Sequence, residues 1–588
     1  MEIIIETNDV RITVFGLSTS NKNIIVESYK EFFQNEKQIA IELKKMIKIT
    51  YSEVKLNCEL IPKFQEIIYI LRNIKVLELI GTSEKIADFI TKNKENLKFI
   101  EDLSISTLRS NHFGILSLFN ASHLKSISIH FDDLENSIEK YLDYLKSLDK
   151  LESLDFNISF RTNDHLYLSI NKTLRRMTNL KNLSLNVEKC YETTSYLTIL
   201  SETLSSMTQL ETLCLEYNCK PQNGEELIGE ELINSLDPKI LDKLKKLTIP
   251  LKKGFDCNSL FHNLMSLEII SDFSFQNKNA LIENNDSFAN LKELIFKKEV
   301  NGFDHIYLEK FLNLEKFSFG PMLNGLNYID LFVSLGRMEK LNDLDLTFSF
   351  FNSTISEINI NDLNNHLIMI ISLISLRISL ESNFAEENKP YNVGDFSQLT
   401  QLTNLTLELK EINIIDFQMK EHKNLKKFDF RISKCKIEKD IKLKISSFLT
   451  NSKNLETFCL NTDEDFPLDF LKNLDNLKKL TLRMPKPIEV NFPQSLSYLN
   501  LCLDNYLSFH ISYLSGLKNL KHLILPFVVA NEDNIFDILQ HFFNKQKEYN
   551  LETLELNEIY DEREKIRNLL KNLKGVVKLK LGTNIFFQ

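Results

Sequence analysis

The chain has 588 residues and a mass of 68.7 kDa; 43% of its residues are hydrophobic and 26% are charged, which is typical of a folded globular protein. Its net charge of −10 lacks the basic excess that phosphate contacts require, so the composition excludes an ordinary nucleic-acid-binding protein. With only 14 glycines and 11 prolines, flexible linkers are few, and a length beyond one core of roughly 300 residues then favours a continuous repeat array.

The N-terminal segment MEIIIETNDVRITVF carries acidic residues inside its apolar run and no small-residue cleavage site, unlike a signal peptide. The most apolar run, 366–380, is too short for a membrane span and contains Arg377. The eight cysteines are scattered without paired spacing, as expected for free thiols in a reducing compartment. We therefore expect a soluble protein of the cytoplasm, with the nucleus as the alternative, and no contact with a membrane.

Residues 1–50 are predicted to form an N-terminal cap. They contain a helical pattern at 23–47, and a stack of repeats needs its ends covered. A small separate domain in the same residues is the alternative.

From residue 51 to 588 the chain repeats one pattern about twenty times, with a spacing of about 19 to 34 residues. Examples are LRRMTNLKNLSL (174–185), LSSMTQLETLCL (204–215) and FSQLTQLTNLTLELK (396–410). The three-residue spacing predicts the end of a helix and its turn, and the two-residue spacing of L-x-L predicts a short strand with its leucines in the core. Apolar residues at helical spacing predict helices between the strands, with the clearest at 224–236, 361–372, 532–546 and 561–573.

The residue between the last two leucines of each repeat is predicted to face away from the core. Nearly all of these residues are polar or small, and we expect them to form one column on an exposed sheet face. In chain order they are Glu78, Ser128, Asp155, Ser184, Cys214, Thr248, Glu268, Ile295, Ser318, Asp345, Arg377, Thr406, Asp429, Cys459, Thr481, Asn500, Ile524, Glu555 and Lys580.

This pattern resembles the leucine-rich repeat (LRR) proteins, and its Asn-, Lys- and Ile-rich style resembles the divergent repeats of ciliates and other AT-rich protists. The resemblance implies an α/β solenoid shaped as a horseshoe, with a parallel β-sheet on the concave face and helices on the convex face. The family's asparagine three places after the last strand leucine is mostly absent, Asn218 being one of the few matches. That asparagine bonds the neighbouring turn in the family, so its absence predicts looser turns and an irregular curve.

The sequence offers no pattern for catalysis. It contains no phosphate-binding glycine loop, no kinase triplet, no zinc-binding Cys or His spacing and no motif that brings a nucleophile to a base. We therefore predict that the protein is not an enzyme and uses no cofactor and no metal.

The expected function is that of a scaffold that binds a partner protein through the concave face, because a rigid polar sheet suits a large protein surface. Arginine and aromatic side chains dominate binding energies, so the candidate contact residues are Arg377, Arg431, Arg483, Tyr498 and His522. The alternative is an F-box-like substrate-recognition subunit of a ubiquitin ligase, which requires a three-helix segment within 23–70. A GTPase-activating role is a weaker third interpretation.

Overall fold

The structure is a computed structural model. It describes residues 101–109, 119–133, 138–162, 164–190, 194–217, 228–251, 261–270, 288–298, 311–322, 328–350, 365–382, 391–412, 414–485, 490–503 and 516–525, together with short segments at 2–6, 11–15, 46–50, 76–80, 94–95, 99–100, 116–117, 273–274, 300–301, 553–556, 578–581 and 584–586 and the single residues 91, 308 and 514. The described residues up to Lys298 belong to one compact unit and those from Val300 onward belong to a second.

The first unit is built on a ladder of parallel strands. β1 pairs antiparallel with β2, and β2 with β3; from β3 to β11 each strand then pairs in parallel with the next, and β11 pairs in parallel with β13. The strands are β1 (Glu2–Glu6), β2 (Arg11–Phe15), β3 (Met46–Thr50), β4 (Val76–Ile80), β5 (Asp102–Arg109), β6 (Ser126–Asp133), β7 (Ser153–Thr162), β8 (Asn182–Cys190), β9 (Thr212–Tyr217), β10 (Lys246–Ile249), β11 (Ser266–Ile269), β12 (Phe273–Ser274) and β13 (Glu293–Phe296).

The second unit has the same construction. β14 pairs with β15, and from β15 the parallel ladder runs through β16, β17, β19 and β21 to β27; β28 pairs antiparallel with β27, and β18 and β20 form a separate parallel pair. The strands are β14 (Val300–Asn301), β15 (Lys316–Met322), β16 (Asp343–Phe350), β17 (Ser375–Ser382), β18 (Tyr391–Val393), β19 (Asn404–Lys410), β20 (Ile414–Phe417), β21 (Lys427–Ser433), β22 (Thr457–Thr462), β23 (Lys479–Met484), β24 (Tyr498–Leu503), β25 (His522–Leu525), β26 (Thr553–Leu556), β27 (Lys578–Leu581) and β28 (Asn584–Phe586). The parallel sheet that the repeats predict is thus confirmed.

Helices connect some of the strands. Those of the first unit are α1 (Ile138–Leu145), α2 (Asp164–Leu174), α3 (Thr194–Ser205), α4 (Ile228–Ser235) and α5 (Pro238–Leu241), and those of the second are α6 (Tyr328–Gly336), α7 (Lys439–Asn451) and the 3₁₀ helices Phe396–Gln398 and Asp469–Asn473. The repeat between Leu425 and Leu455 contains the 13-residue α7, whereas the shorter repeat between Leu455 and Leu477 contains the five-residue 3₁₀ helix.

The predicted helices have different outcomes. The range 224–236 contains α4. In the range 361–372 the structure describes 365–372, of which 365–367 are helical. The predictions at 532–546 and 561–573, and the helical pattern at 23–45, lie outside the described residues. The last two residues of the 23–47 pattern begin strand β3 instead. The cap at 1–50 and the start of the array at residue 51 stay predictions.

The three-residue spacing has a more specific cause than a helix end. In FSQLTQL the Leu399 N–H bonds to the Phe396 carbonyl at 2.9 Å, and the Leu402 N–H bonds to the Leu399 carbonyl at 2.9 Å. Such i→i−3 bonds define successive 3₁₀ turns, in which side chains three apart lie on the same side. All three side chains are fully buried, so the spacing marks 3₁₀ turns that pack inward.

The two-residue spacing follows strand alternation. Along β19 the side chains of Leu405, Leu407 and Leu409 are buried, whereas those of Asn404, Thr406 and Glu408 are half-exposed. The leucines of neighbouring strands pair in register and form the core beneath the sheet.

The turns contain an asparagine ladder that the sequence comparison with the LRR pattern missed. The side-chain amide of Asn424 donates to the Thr400 carbonyl at 2.6 Å, that of Asn454 to the Lys423 carbonyl at 2.7 Å, and that of Asn476 to the Lys453 carbonyl at 2.9 Å. Asn179, Asn263, Asn290 and Asn519 make the same bond. Each asparagine directly precedes the first leucine of L-x-x-L-x-L, so the described turns are tied together from a different position. Asn218 lies outside the described residues.

Candidate binding surface

The predicted polar column exists as one strand register in each unit. In the first unit each residue of the column is the register partner of the next one, on the neighbouring strand. The column consists of Glu78, Ser104, Ser128, Asp155, Ser184, Cys214, Thr248, Glu268 and Ile295. In the second unit Ser318 leads through Asp345, Arg377, Thr406, Asp429, Cys459, Thr481, Asn500, Ile524 and Glu555 to Lys580. Where side chains are described they are at least partly exposed, except Asp429, which is 8% exposed. We call this side of each sheet its open face.

The open face of the second unit is three columns wide. Because side chains alternate, residues two positions before and after the middle column share its face. The column before it includes Lys427, Thr457, Lys479, Tyr498 and His522, and the column after it includes Glu408, Arg431, Asn461, Arg483 and Cys502. These two columns can be found in the sequence by counting two residues back and two residues forward from the middle-column residue of each motif, because side chains alternate along a strand.

Two of the predicted contact residues are already paired within the chain. The Arg377 Nη2 lies 3.0 Å from the Glu408 Oε2, and its Nε lies 3.8 Å from the Asp345 Oδ1, so acids on both neighbouring strands flank it. Arg431 forms a two-pronged contact with Asp429, with Nε–Oδ1 and Nη2–Oδ2 distances of 3.1 and 2.9 Å. This hydrogen bonding raises the pKa of Arg431. Both guanidinium charges are therefore largely neutralised.

The other three predicted contact residues lie on the consecutive strands β23, β24 and β25. Arg483 is exposed and has neither an ion pair nor a hydrogen bond from its side chain to another residue that the structure describes. Tyr498 and His522 are direct register partners, and their ring centroids lie 6.2 Å apart at a 47° tilt. The structure thus groups Arg483, Tyr498 and His522 on neighbouring strands, and it places Arg377 and Arg431 on β17 and β21.

Two thiols on the open face, Cys214 and Cys459, are poor nucleophiles. The described cysteines Cys214, Cys435, Cys459 and Cys502 are free. Burial raises the pKa of Cys459 to about 12, with the Asp429 carboxylate adding to the effect, and burial raises the pKa of Cys214 to about 11. Thiols with such a pKa stay protonated at neutral pH.

The described residues contain neither a cluster of metal-binding side chains nor a membrane-spanning helix. No group of three His, Cys, Asp or Glu side chains in the described part of the chain is arranged to hold a metal ion. Within the same residues, no helix has the length and apolar character needed to cross a bilayer.

No protein-family model matches the sequence, and no curated protein matches it either. Among solved structures the chain is similar to an LRR protein of Leptospira interrogans, with 14% identity and a TM-score of 0.29 over 87% of this chain and 97% of that one. The parallel ladders and the repeated turns define the fold independently of this similarity.

Proposed function

We propose that this protein is a non-enzymatic scaffold that binds a partner protein on the open face of its parallel sheet. In this proposal the open face is the concave side of an LRR solenoid and the helices lie on the convex side. The observation that carries the proposal is the in-register array of partly exposed side chains in three columns, each fixed on a strand whose leucines are buried.

The array suits a large, flat partner better than a small molecule. Neighbouring strands lie about 4.8 Å apart, and side chains two residues apart on a strand lie about 7 Å apart. The three columns on the eight strands β16, β17, β19 and β21 to β25 therefore present about two dozen side chains. This is close to the number of residues that one side of a stable protein interface uses. Because the strands are rigid, binding orders little backbone and the entropic cost is small.

Arg483, Tyr498 and His522 are the stronger contact candidates among the five predicted. Arg377 and Arg431 already pair with carboxylates, so a partner would gain little by replacing those contacts. Arg483 has no such partner among the described residues, and the Tyr498–His522 pair presents aromatic surface on the next two strands, in the column on the other side of the middle one.

Affinity capture from the native cell tests the proposal when it is run with three forms of the full chain. These are the wild type, the variant Arg483→Ala/Tyr498→Ala/His522→Ala, and a control with Lys439→Ala/Leu443→Ala/Lys472→Ala on exposed positions of α7 and the 469–473 helix. We expect a partner that the wild type and the control retain and the face variant loses. If the Arg483/Tyr498/His522 variant retained the partner as well as the wild type does, and the control lost it, the binding surface would lie elsewhere.

A further inference from the structure

A groove runs along the turns that precede β19, β21, β22 and β23, at the N-terminal ends of these strands. Its volume is about 680 Å³, and its lining includes Lys423, Lys426 and Lys478 together with the ladder amides of Asn424, Asn454 and Asn476. All six side chains are exposed. We call this feature the basic groove.

Positive charge exceeds negative charge in the basic groove. Glu456 is the acid in its lining, and its Oε2 pairs with the Lys478 Nζ at 2.8 Å. Lys423 and Lys426 have no ion-pair partner among the residues that the structure describes. Lys427 and Lys479 likewise have no ion-pair partner among the described residues, but they begin β21 and β23 and belong to the open face.

The corresponding turns of the first unit are different. There Lys125 pairs with Glu101 at 2.8 Å, Lys181 with Glu152 at 2.9 Å, and Lys245 with Glu211 at 2.8 Å. Each of these three lysines is thus matched by a glutamate one repeat earlier. In the basic groove Lys426 instead lies next to Thr403 of the preceding turn, which cannot pair with it, so the lysines of the groove outnumber its acids.

We propose that the basic groove binds an acidic peptide segment of the partner protein. This inference rests on the proposed function and specifies the chemistry of the partner. Three strand spacings of about 4.8 Å separate β19 from β23 in the ladder, which is the reach of an extended segment of about four or five residues.

The chemistry of the lining fits carboxylates. Each lysine ammonium is a flexible point charge with three donors, which adapts to side-chain carboxylates at irregular positions. Each ladder asparagine uses one N–H in its bond to the preceding turn, and a primary amide has a second N–H donor. Exposed charge pairs of this kind give affinity that falls as salt rises.

A peptide fits these surroundings better than a nucleic acid does. The groove spans only the turns before four strands and itself contains Glu456, and the whole chain has a net charge of −10. A continuous phosphate backbone extends beyond so short a patch towards an acidic molecule, whereas a peptide can place its carboxylates in the groove and neutral residues elsewhere.

Fluorescence anisotropy with the full chain tests the inference. The probes are a fluorescein-labelled (Asp-Glu)₄ peptide, its neutral counterpart (Asn-Gln)₄, and a labelled thymidine octanucleotide. The groove variant is Lys423→Ala/Lys426→Ala/Lys478→Ala, which removes the three lysines of the groove lining, and the control Lys436→Ala/Lys439→Ala/Lys472→Ala removes the same charge from other exposed sites.

We expect the wild type and the control to bind (Asp-Glu)₄ alike, and the groove variant to bind it about tenfold more weakly, as the loss of three exposed charge contacts implies. The neutral peptide should not bind. An undiminished affinity in the groove variant, an equal loss in both variants, or no binding by the wild type at low salt would overturn the inference. Tighter binding of the octanucleotide than of the acidic peptide, lost in the groove variant, would assign the groove to nucleic acid and overturn it as well.

The two proposals can fail separately. The peptide assay does not depend on the native partner, and partner capture with the Arg483/Tyr498/His522 variant does not depend on the groove. The Arg483/Tyr498/His522 variant could lose the partner while the groove variant binds the acidic peptide as tightly as the wild type does. That result would leave the proposed function in place and reject only the binding of an acidic segment in the groove.

Discussion

His422 occupies a position where neighbouring repeats bury leucine, as at Leu399 and Leu474, and it is only 3% exposed. Its Nε2 lies 3.0 Å from the Leu399 carbonyl, and because a carbonyl accepts, the ring donates from Nε2. The Nδ1 atom is buried and has no hydrogen-bond partner among the described residues. Burial lowers the pKa of His422, so the folded protein holds this ring neutral.

His422 therefore makes stability depend on pH. The unfolded chain takes up a proton near the ordinary histidine pKa of about 6.5, while the folded chain resists it, so stability falls as pH drops below about 6.5 towards the lowered pKa. We expect His422→Leu to reduce this loss and to stabilise the fold at neutral pH by about 1 kcal/mol, because the Leu399 carbonyl keeps its bond from the Leu402 N–H. Urea denaturation of both proteins at neutral and mildly acidic pH measures this, and an unchanged pH dependence in the variant would contradict it.

Cys459 is accessible on the open face but protonated. A pKa of about 12 in place of 9.0 lowers its thiolate fraction at neutral pH about a thousandfold. We expect slow alkylation by iodoacetamide, and faster alkylation in Asp429→Asn because the carboxylate that raises the pKa is then neutral. Peptide mass mapping over time gives both rates; equal rates in the two proteins would show that Asp429 does not influence the thiol.

At the scale of the strand, the alternation of buried and exposed side chains can be tested on two neighbouring residues of β19. Leu405 is fully buried and Thr406 is half-exposed. Leu405→Asp places an unpaired charge in the core and should cost about 4 kcal/mol or more, whereas Thr406→Asp should cost well below about 1 kcal/mol. Thermal melts of the two variants decide the matter, and similar melting temperatures would reject the alternation.

The asparagine ladder is the second element with a measurable contribution. Asn454→Ala removes the bond to the Lys423 carbonyl and leaves that carbonyl to water, so we expect a loss of about 0.5–1 kcal/mol. Asn473→Ala, at an exposed asparagine of the 469–473 helix, is the matched control and should change stability less. Denaturant unfolding compares them; equal effects would mean that the ladder bond contributes nothing specific.

The strands and the middle column were predictable because their signals are local. L-x-L fixes which side chains face inward, and aligning the motifs already pairs Asp345 with Arg377. The ladder was missed because the bond of Asn454 ends on a backbone carbonyl one repeat away, which no side-chain pattern records. The choice between an α-helix and 3₁₀ turns was not predictable from the three-residue spacing alone, since both bury residues at that interval.

At the scale of the whole molecule, repetition sets the fold and departures from repetition mark the candidate site. A residue position that recurs in every repeat, such as Leu405 or Leu480, packs the core. Positions that change within the array, such as Lys426 without an acid one repeat earlier, or Tyr498 beside His522, give particular repeats their chemistry. The placement of Arg483, Tyr498 and His522 on consecutive strands required the strand register, since Arg483 and His522 lie 39 positions apart in the sequence.

Hydroxyl-radical footprinting of the captured complex, read by mass spectrometry, tests the binding surface most directly. Tyr498 and His522 report on the open face, and Met369 and Leu443, which are 52% and 54% exposed, report on the turns and helices away from it. We predict that the partner lowers oxidation of Tyr498 and His522 and leaves Met369 and Leu443 unchanged. Protection of Met369 and Leu443 with full oxidation of Tyr498 and His522 would contradict binding through the open face.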